Sequence, residues 1–86
     1  MTDLTDAERV LVHLFRDGYH RNVVALARAL RMEQHAIKRR LDRLAEGGLV
    51  RLKIAQGHLY WGITDEGRRH VMQRGLIQDA RPALTP

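Results

Sequence analysis

The chain of 86 residues contains no cysteine and no serine. Without cysteine there can be no disulfide and no thiolate metal site. Without either residue, the two commonest side-chain nucleophiles for acyl transfer are missing. No glycine-rich phosphate loop is present, and no carboxylate pair, nucleophile–base pair or metal-ligand cluster stands out. We therefore expect no enzyme activity, no bound metal and no cofactor.

Long apolar segments are also lacking. No stretch is apolar over the roughly 20 residues that a membrane-spanning helix needs. The opening residues MTDLTDAERV have neither the basic start nor the apolar run of a signal peptide. These features predict a cytoplasmic protein that has no membrane partner.

The first predicted helix covers residues 4–17, where apolar residues recur at helical spacing. Thr5 and Glu8 have the spacing of a capping box, in which each side chain binds the backbone N–H of the other residue. Gly18 can take the left-handed conformation that follows many helix ends. The segment therefore has a start signal, an apolar face and a stop signal.

Two further helices are predicted over residues 22–30 and 34–46. Asn22 can cap the first of them, and the second ends at a pair of glycines. The link between them, residues 31–33, is as short as a helix-turn-helix requires. Spacings of four and three residues place the apolar side chains of the second helix on one stripe: Ile37, Leu41 and Leu44.

Two alternating segments, LVRLKI and HLYWGI, flank the turn AQGH and predict a β-hairpin. In the first strand the apolar residues share one face: Val50, Leu52 and Ile54. In the second strand we expect an inner face formed by Leu59, Trp61 and Ile63.

A last helix is predicted to begin at Thr64, which can cap it, and to end between Gly75 and Ala80. Residues 1–80 are then a single domain and residues 81–86 a frayed tail. A chain this small often gains stability by forming a dimer. The last helix carries a small-residue stripe, made of Gly67, Val71 and Gly75, which either packs within the domain or meets a partner helix. We expect a homodimer through the first and/or last helix.

The order helix, helix, helix, hairpin, helix resembles a winged-helix domain. Three motifs resemble small regulators of the multiple-antibiotic-resistance-regulator and arsenic-repressor type: ALARAL, HAIKRRLDRLAEGGLV and ITDEGRRHV. The resemblance as a whole extends roughly from Thr5 to Val71. The resemblance implies an α+β fold that is mostly α: a winged helix-turn-helix with a three-helix core, a two-stranded β-hairpin wing and a C-terminal helix.

The resemblance also implies roles for particular residues in binding double-stranded DNA. Residues at the start of the third helix would read base edges in the major groove, and Gln, Arg and Lys have suitable donors; these are Gln34, His35, Lys38 and Arg39. Phosphate contacts would come from Arg43, Arg31 and Arg28, with Arg40 as a further candidate. The wing would reach the backbone or the minor groove through Lys53, Gln56 and His58.

The sequence departs from the family pattern in three places. Glu33 stands near the start of the third helix, where Ser or Thr is usual, and we expect it to cap the helix and point away from DNA. The turn of the wing has no arginine. The chain is also too short for the long flanking helices that enclose a ligand pocket in full-length regulators of the antibiotic-resistance type.

Charge supports DNA binding over a merely solvated face. The formal net charge is +5 and the sequence pI is about 10.7, which favours acidic partners. Residues 31–53 hold seven basic and three acidic side chains. The function predicted is sequence-specific DNA binding by a small transcriptional regulator, as a repressor, with residues 34–46 in the major groove.

Two other functions stay open at this point. One is a winged-helix module for protein–protein interaction, although a basic third helix argues against it. The other is an accessory DNA-binding factor of a phage or plasmid, which the sequence does not separate from a repressor. Metal sensing is a weaker alternative, because the five histidines lie on separate elements.

Overall fold

The computed structural model describes residues 4–18 and 20–76. Over these residues the elements follow the predicted order: α1 (Asp6–Asp17), α2 (Val23–Leu30), α3 (Gln34–Glu46), β1 (Val50–Ala55), β2 (His58–Ile63) and α4 (Asp65–Gln73). The two strands pair in antiparallel fashion. The fold is the expected winged helix-turn-helix, with the hairpin as the wing.

The helix caps predicted at Thr5 and Asn22 are confirmed. The Thr5 hydroxyl accepts a hydrogen bond from the Glu8 N–H at 3.1 Å, and the Glu8 carboxylate accepts one from the Thr5 N–H at 2.9 Å. Asn22 accepts from the Ala25 N–H at 2.8 Å. These side chains satisfy backbone donors that a helix start otherwise leaves unpaired.

The pair of glycines ends α3 in a Schellman motif. Gly48 has φ 78° and its N–H donates to the Ala45 carbonyl at 3.0 Å, while the Leu49 N–H donates to the Leu44 carbonyl at 2.9 Å. The left-handed conformation is open to glycine at little cost. It turns the chain sharply from α3 into β1.

One hydrophobic core joins all the elements. Helix α1 contacts α2, α3, α4 and β2, and so lies at the centre of the domain. The predicted stripe of α3 is buried within this core. The buried residues of the cluster are Val10, Leu11, Leu14, Leu26, Ala27, Ile37, Leu41, Leu44, Val50, Trp61 and Val71.

The wing is only half covered. Its register pairs the apolar residues across the strands, Val50 with Ile63, Leu52 with Trp61 and Ile54 with Leu59, so that all six share one face. Val50 and Trp61 are buried at the base. The outer three are exposed, and Ile54 reaches 68%.

The prediction that Leu59 lies on an inner face was therefore wrong, whereas the prediction for Trp61 is confirmed. Alternation correctly identified the apolar face. It did not show that the hairpin projects beyond the helices, where no described element covers that face.

The segment ITDEG fits the start of α4 against the α3–β1 turn. The Thr64 hydroxyl accepts from the Gly67 N–H at 2.9 Å and donates to the Gly48 carbonyl at 2.7 Å. A Cβ at position 67 would lie 2.1 Å from the Leu49 carbonyl oxygen. Only glycine permits that approach, so the motif has a clear packing role.

The predicted small-residue stripe on the last helix does not face a partner. Gly67 and Val71 are buried inside the domain. Helix α4 ends at Gln73, earlier than predicted, and Gly75 lies beyond it with φ 64°. This basis for a dimer through the last helix was wrong. The predicted tail, 81–86, lies outside the described residues.

The connection between α1 and α2 is attached to the free edge of β2. Arg21 and Trp61 exchange two backbone hydrogen bonds, at 2.8 and 2.7 Å. The Arg21 Nε also donates to the Asp17 carboxylate. Trp61 is thus held by Arg21 on one edge and lies opposite Leu52 on the other, which fixes the wing to the helical core.

We expect Leu41→Ala to lower the free energy of unfolding by about 2–5 kcal/mol, because it leaves a cavity in a fully buried position. Urea denaturation of the wild type and the variant measures this difference. Ile54→Ala is the matched control and should change stability by no more than about 0.5 kcal/mol, since Ile54 is exposed. Equal stability of Leu41→Ala and wild type would contradict the assignment of the core face.

The second prediction concerns acid stability. The hydrogen bond from Arg21 holds the pKa of Asp17 below its ordinary value of 3.8, and the charges of Arg21 and His13 act in the same direction. A carboxyl with a lowered pKa stabilises the folded state above the unfolded value, and the effect is lost as pH falls through the folded pKa. Asp17→Asn should therefore be less stable than wild type at neutral pH.

The difference in urea midpoint between Asp17→Asn and wild type should shrink as the pH drops below about 3.8. Asp42→Asn makes the same charge change in an exposed pair of α3 and serves as the control. A difference for Asp17→Asn that is constant with pH would mean that ionisation of Asp17 is not what stabilises the fold.

Candidate nucleic-acid interface

Helix α3 presents one polar face to solvent. Its 13 residues extend over about 20 Å, and an α-helix fits the major groove of B-form DNA. Because its apolar stripe is buried against the core, the polar residues are turned outward. Those exposed are Gln34, His35, Lys38, Arg39, Asp42, Arg43 and Glu46.

Two of the nitrogen-bearing side chains on this face, those of Lys38 and His35, have acidic neighbours. Lys38 Nζ lies 3.2 Å from Asp42 Oδ2, one turn further along the helix. His35 Nε2 lies 3.3 Å from Glu33 Oε1. Both pairs are exposed, and pairs of this kind typically contribute no more than about 1 kcal/mol. A phosphate or a base edge can therefore replace the carboxylate.

Arg39 and Arg43 differ from these two. Within residues 4–18 and 20–76, no carboxylate lies within ion-pair distance of either guanidinium. Each presents the flat donor fork that matches phosphate oxygens or the acceptor pair of guanine. The unpaired positive charge of α3 is thus concentrated on these two arginines.

Glu33 occupies the N-cap position of α3, but its side chain makes no capping hydrogen bond. The expectation that it caps the helix was wrong. Its carboxylate lies instead beside His35, where it offsets positive charge on the predicted base-reading side.

Arg40 lies apart from the exposed face. Its Nη2 is 3.5 Å from Asp6 Oδ2 of α1, and Asp6 also pairs with Arg9 at 3.6 Å. Arg9 in turn donates to the Leu30 carbonyl at the end of α2, at 2.8 Å. This group connects α1 to both helices of the helix-turn-helix. Arg40 thus sits at a helix–helix contact.

Two exposed arginines lie at the end of α2: Arg28 in its last turn and Arg31 directly after it. Arg31 has φ 56° and ψ 49°, and the following Met32 N–H donates to the Ala27 carbonyl. This is the position that Gly48 occupies at the end of α3. For a residue with a side chain, the left-handed conformation costs about 1–2 kcal/mol.

An open groove of about 440 Å³ runs between α2 and the start of α3. Its floor is apolar and its rim polar: it is lined by Val24, Ala27, Arg28, Met32, Glu33, Gln34 and His35. The structure therefore brings Arg28, Gln34 and His35 together around one depression.

The predicted wing residues form a second, separate group. Lys53, Gln56 and His58 are all exposed. Gln56 and Gly57 both have positive φ, 51° and 78°, as a two-residue hairpin turn of type I′ requires. Gln56 takes this conformation without being Gly, Asn or Asp.

Sequence reasoning left Arg51 out of the predicted site, although Arg51 is exposed on the same face of the wing as Lys53. That face also carries Tyr60, which pairs with Lys53 across the strands and meets His58 edge-on at 6.5 Å between ring centroids. The wing therefore has one cationic, aromatic face and one apolar face.

Sequence reasoning also missed His20, which packs on the cationic face of the wing. A Cβ built on Gly62 would come within 2.5–2.8 Å of three atoms of the imidazole. Burial, then the charges of Lys53 and Arg51, hold the pKa of His20 below its ordinary value of 6.5. A glycine inside a strand is a sign of close approach, so Gly62 was the available signal.

Two kinds of feature, a metal-ligand cluster and a membrane-spanning helix, are absent from the described residues. Across the described ranges, no group of three or more metal-ligating side chains could hold an ion. No helix in the same ranges is long and apolar enough to cross a bilayer.

No family model and no curated protein sequence matches the chain. Solved structures do. A MarR family transcriptional regulator from Silicibacter pomeroyi is 27% identical, with a TM-score of 0.76 over 93% of this chain and 56% of that one. The AntR antimony-specific transcriptional repressor is 29% identical, with a TM-score of 0.65 over 80% of this chain and 61% of that one.

A third structure is similar in fold. The transcriptional regulator BldR from Sulfolobus solfataricus is 24% identical, with a TM-score of 0.72 over 85% of this chain and 53% of that one. The chain thus spans between about half and two thirds of the length of these proteins. With its three-helix core, its wing and the attachment of α4, this chain is a winged helix-turn-helix domain that resembles transcriptional regulators of the MarR type.

Proposed function

We propose that this chain binds double-stranded DNA sequence-specifically, with α3 in the major groove, and acts as a transcriptional repressor in the cytoplasm. The exposed face of α3, with Arg39 and Arg43 unpaired among the described residues, carries this proposal. The similarity to transcriptional regulators supports it.

In this arrangement different residues have different tasks. Base edges are read by the first turns of α3, through Gln34, His35, Lys38 and Arg39, which can pair with adenine or guanine. Phosphates, which position the protein without reading sequence, are bound by Arg43, Arg31 and Arg28. The wing reaches the neighbouring backbone or minor groove through Lys53, Gln56, His58 and also Arg51.

The left-handed Arg31 supports a role in binding. A glycine there would avoid the steric cost that a side chain brings to this conformation. Costly backbone conformations concentrate at functional positions. Arg31 is exposed beside the start of α3, where a guanidinium would meet the phosphates that flank the groove.

Repression in this proposal is steric. Two copies of the chain would place their α3 helices in successive major grooves, about one helical turn of DNA apart. The bound homodimer would then exclude polymerase or a competing activator. Since Gly67 and Val71 are used inside the domain, we propose that α1 supplies the contact.

One observation favours the alternative of a protein-interaction module. The outer half of the wing exposes three large apolar side chains: Leu52, Ile54 and Leu59. Exposed apolar patches can mark protein contacts. The cationic faces of α3 and the wing have the opposite character, and they are more extensive along the chain, so DNA is the better supported partner.

The proposal is tested by fluorescence anisotropy with duplex DNA of mixed sequence over a salt series. The logarithm of the binding constant should fall linearly with the logarithm of the salt concentration. The slope should steepen by about 0.9 for each phosphate contact. Lys38→Ala/Arg39→Ala should weaken binding. The matched control is Arg69→Ala, an exposed arginine of α4 outside the interface.

Selection of binding sites from random duplexes would then show sequence preference, which the double variant should relax. A folded protein that binds no duplex at low salt would contradict the proposal and favour a protein partner. Equal loss of affinity in Arg69→Ala and in the double variant would place the interface elsewhere.

Arg31→Gly should separate stability from binding. The change removes the steric cost of the left-handed conformation but adds backbone entropy to the unfolded chain. Stability should therefore be unchanged or higher by up to about 1 kcal/mol. The salt slope should fall by about 0.9, the value for one phosphate contact.

Urea denaturation and anisotropy on the same preparation measure both effects. The outcome against a phosphate contact at Arg31 is an unchanged affinity and salt slope in a variant that is folded as stably as wild type.

A further inference from the structure

The imidazole ring of His20 packs directly against Gly62 of the wing, in a position called here the seat of His20. Its ring lies where the side chain of any other residue at position 62 would be, with Nε2 2.5 Å from the site of a built Cβ. The next residue, Arg21, is bonded twice to the backbone of Trp61. The imidazole and this backbone bridge therefore hold the same short length of β2 to the helical core.

The seat suits only a neutral imidazole. The Nε2 atom is buried and has no hydrogen-bond partner. A proton on that atom would create an N–H donor with no acceptor, which is costly in a buried position. The neighbouring charges add to this cost. Lys53 and Arg51 of β1 repel a charged ring, and the carboxylate of Asp17 is already hydrogen-bonded to Arg21 and lies 3.8 Å from His13 Nε2.

Those same two cations belong to the face of the wing that the proposed function directs at DNA. Arg51 lies opposite Gly62 and Lys53 opposite Tyr60 in the register of the hairpin. The seat of His20 is therefore also the base of the cationic face, and a ring that leaves it removes one of the contacts that fix that face to the core.

We propose that His20 is a positioning residue for the wing, which holds the Arg51 and Lys53 face in its DNA-binding orientation only while its imidazole is neutral. Acidification releases the ring and makes the contribution of the wing to DNA affinity dependent on pH. This inference rests on the proposed function for its readout, but the seating itself is a property of the free protein.

The sign of the effect follows from proton linkage. Because the pKa of His20 is lowered in the folded protein, the unfolded chain binds more protons than the folded one at mildly acidic pH. The stabilisation is complete above the ordinary value of 6.5 and is lost as pH falls toward the folded pKa. The seated ring therefore stabilises the fold most at neutral pH and less in mild acid.

The first test compares wild type with His20→Phe, which keeps a flat ring on Gly62 but has no proton to gain. Anisotropy is measured with the same duplex at about pH 7.5 and about pH 5.5, on either side of the ordinary pKa of histidine. The two proteins should bind alike at the higher pH. At the lower pH, wild type should bind more weakly than His20→Phe.

At the lower pH, the salt slope of wild type should be smaller than that of His20→Phe by about two, since Arg51 and Lys53 each lose one phosphate contact. All other side chains are the same in both proteins, so their effect cancels in the ratio of affinities. His70→Phe, on α4, is the matched control and should follow the wild-type pH profile. Parallel profiles for wild type and His20→Phe would overturn the proposal.

A second test uses size instead of charge. Gly62→Ala should expel the ring at every pH and reproduce at neutral pH the weak binding of acidified wild type. His20→Ala should do the same by removing the ring. The double variant His20→Ala/Gly62→Ala should bind more tightly than either single variant, because the new methyl group occupies the vacated seat. Additive losses in the double variant would contradict the seating.

The third measurement needs no DNA. Trp61 is the only tryptophan of the chain, and its backbone is bonded to the residue after His20. Its emission should shift between neutral and mildly acidic pH in wild type but not in His20→Phe. No shift in wild type would overturn the proposal. If the emission of Trp61 shifts with pH but the protein binds no duplex at any pH, the proposed function is contradicted, whereas the pH-dependent packing of His20 is supported.

Discussion

Burial of the α3 stripe against α1 is the contact on which the arrangement of the candidate interface depends. Ile37, Leu41 and Leu44 are all in the core, and because a helix is rigid their burial fixes which side chains face outward. Arg40, one residue before Leu41, is drawn to Asp6 by the same orientation. Exposure of Arg39 and Arg43 is thus a consequence of packing on the other side of the helix.

Glycine occupies some of the conformationally or sterically restricted positions of the domain and is absent from others. Gly48 takes a left-handed conformation that a side chain would strain, and Gly67 of α4 packs against the Leu49 carbonyl, where a Cβ would not fit. Arg31 and Gln56 adopt left-handed conformations although glycine would fit more easily. The two glycines lie at contacts that hold the core together, whereas Arg31 and Gln56 lie beside the surfaces proposed to bind DNA. Local strain in this fold is therefore concentrated at the candidate interface.

Local sequence signals were sufficient for most of the fold, but not for the details of the wing. The capping box of Thr5 and the glycines after α3 act over a few residues, so they could be recognised without tertiary information. Leu59 was misplaced because alternation identifies a face and not what covers it. His20 was missed because Gly62 lies far away in sequence, and the partner of a strand glycine is set only by tertiary packing. The base-reading residues of α3 stay a prediction.

The backbone bridge between Arg21 and Trp61 also determines which edge of the two-stranded sheet is left unpaired. One edge of β2 bonds to β1 and the other to Arg21, which leaves the outer edge of β1 as the open one among the described residues. An open edge with apolar side chains is a template for pairing with another strand. Along β1, Arg51 and Lys53 alternate with the exposed Leu52 and Ile54, and charge on an edge strand discourages such pairing. The same two cations would therefore discourage pairing of this edge with the β1 strand of a second copy.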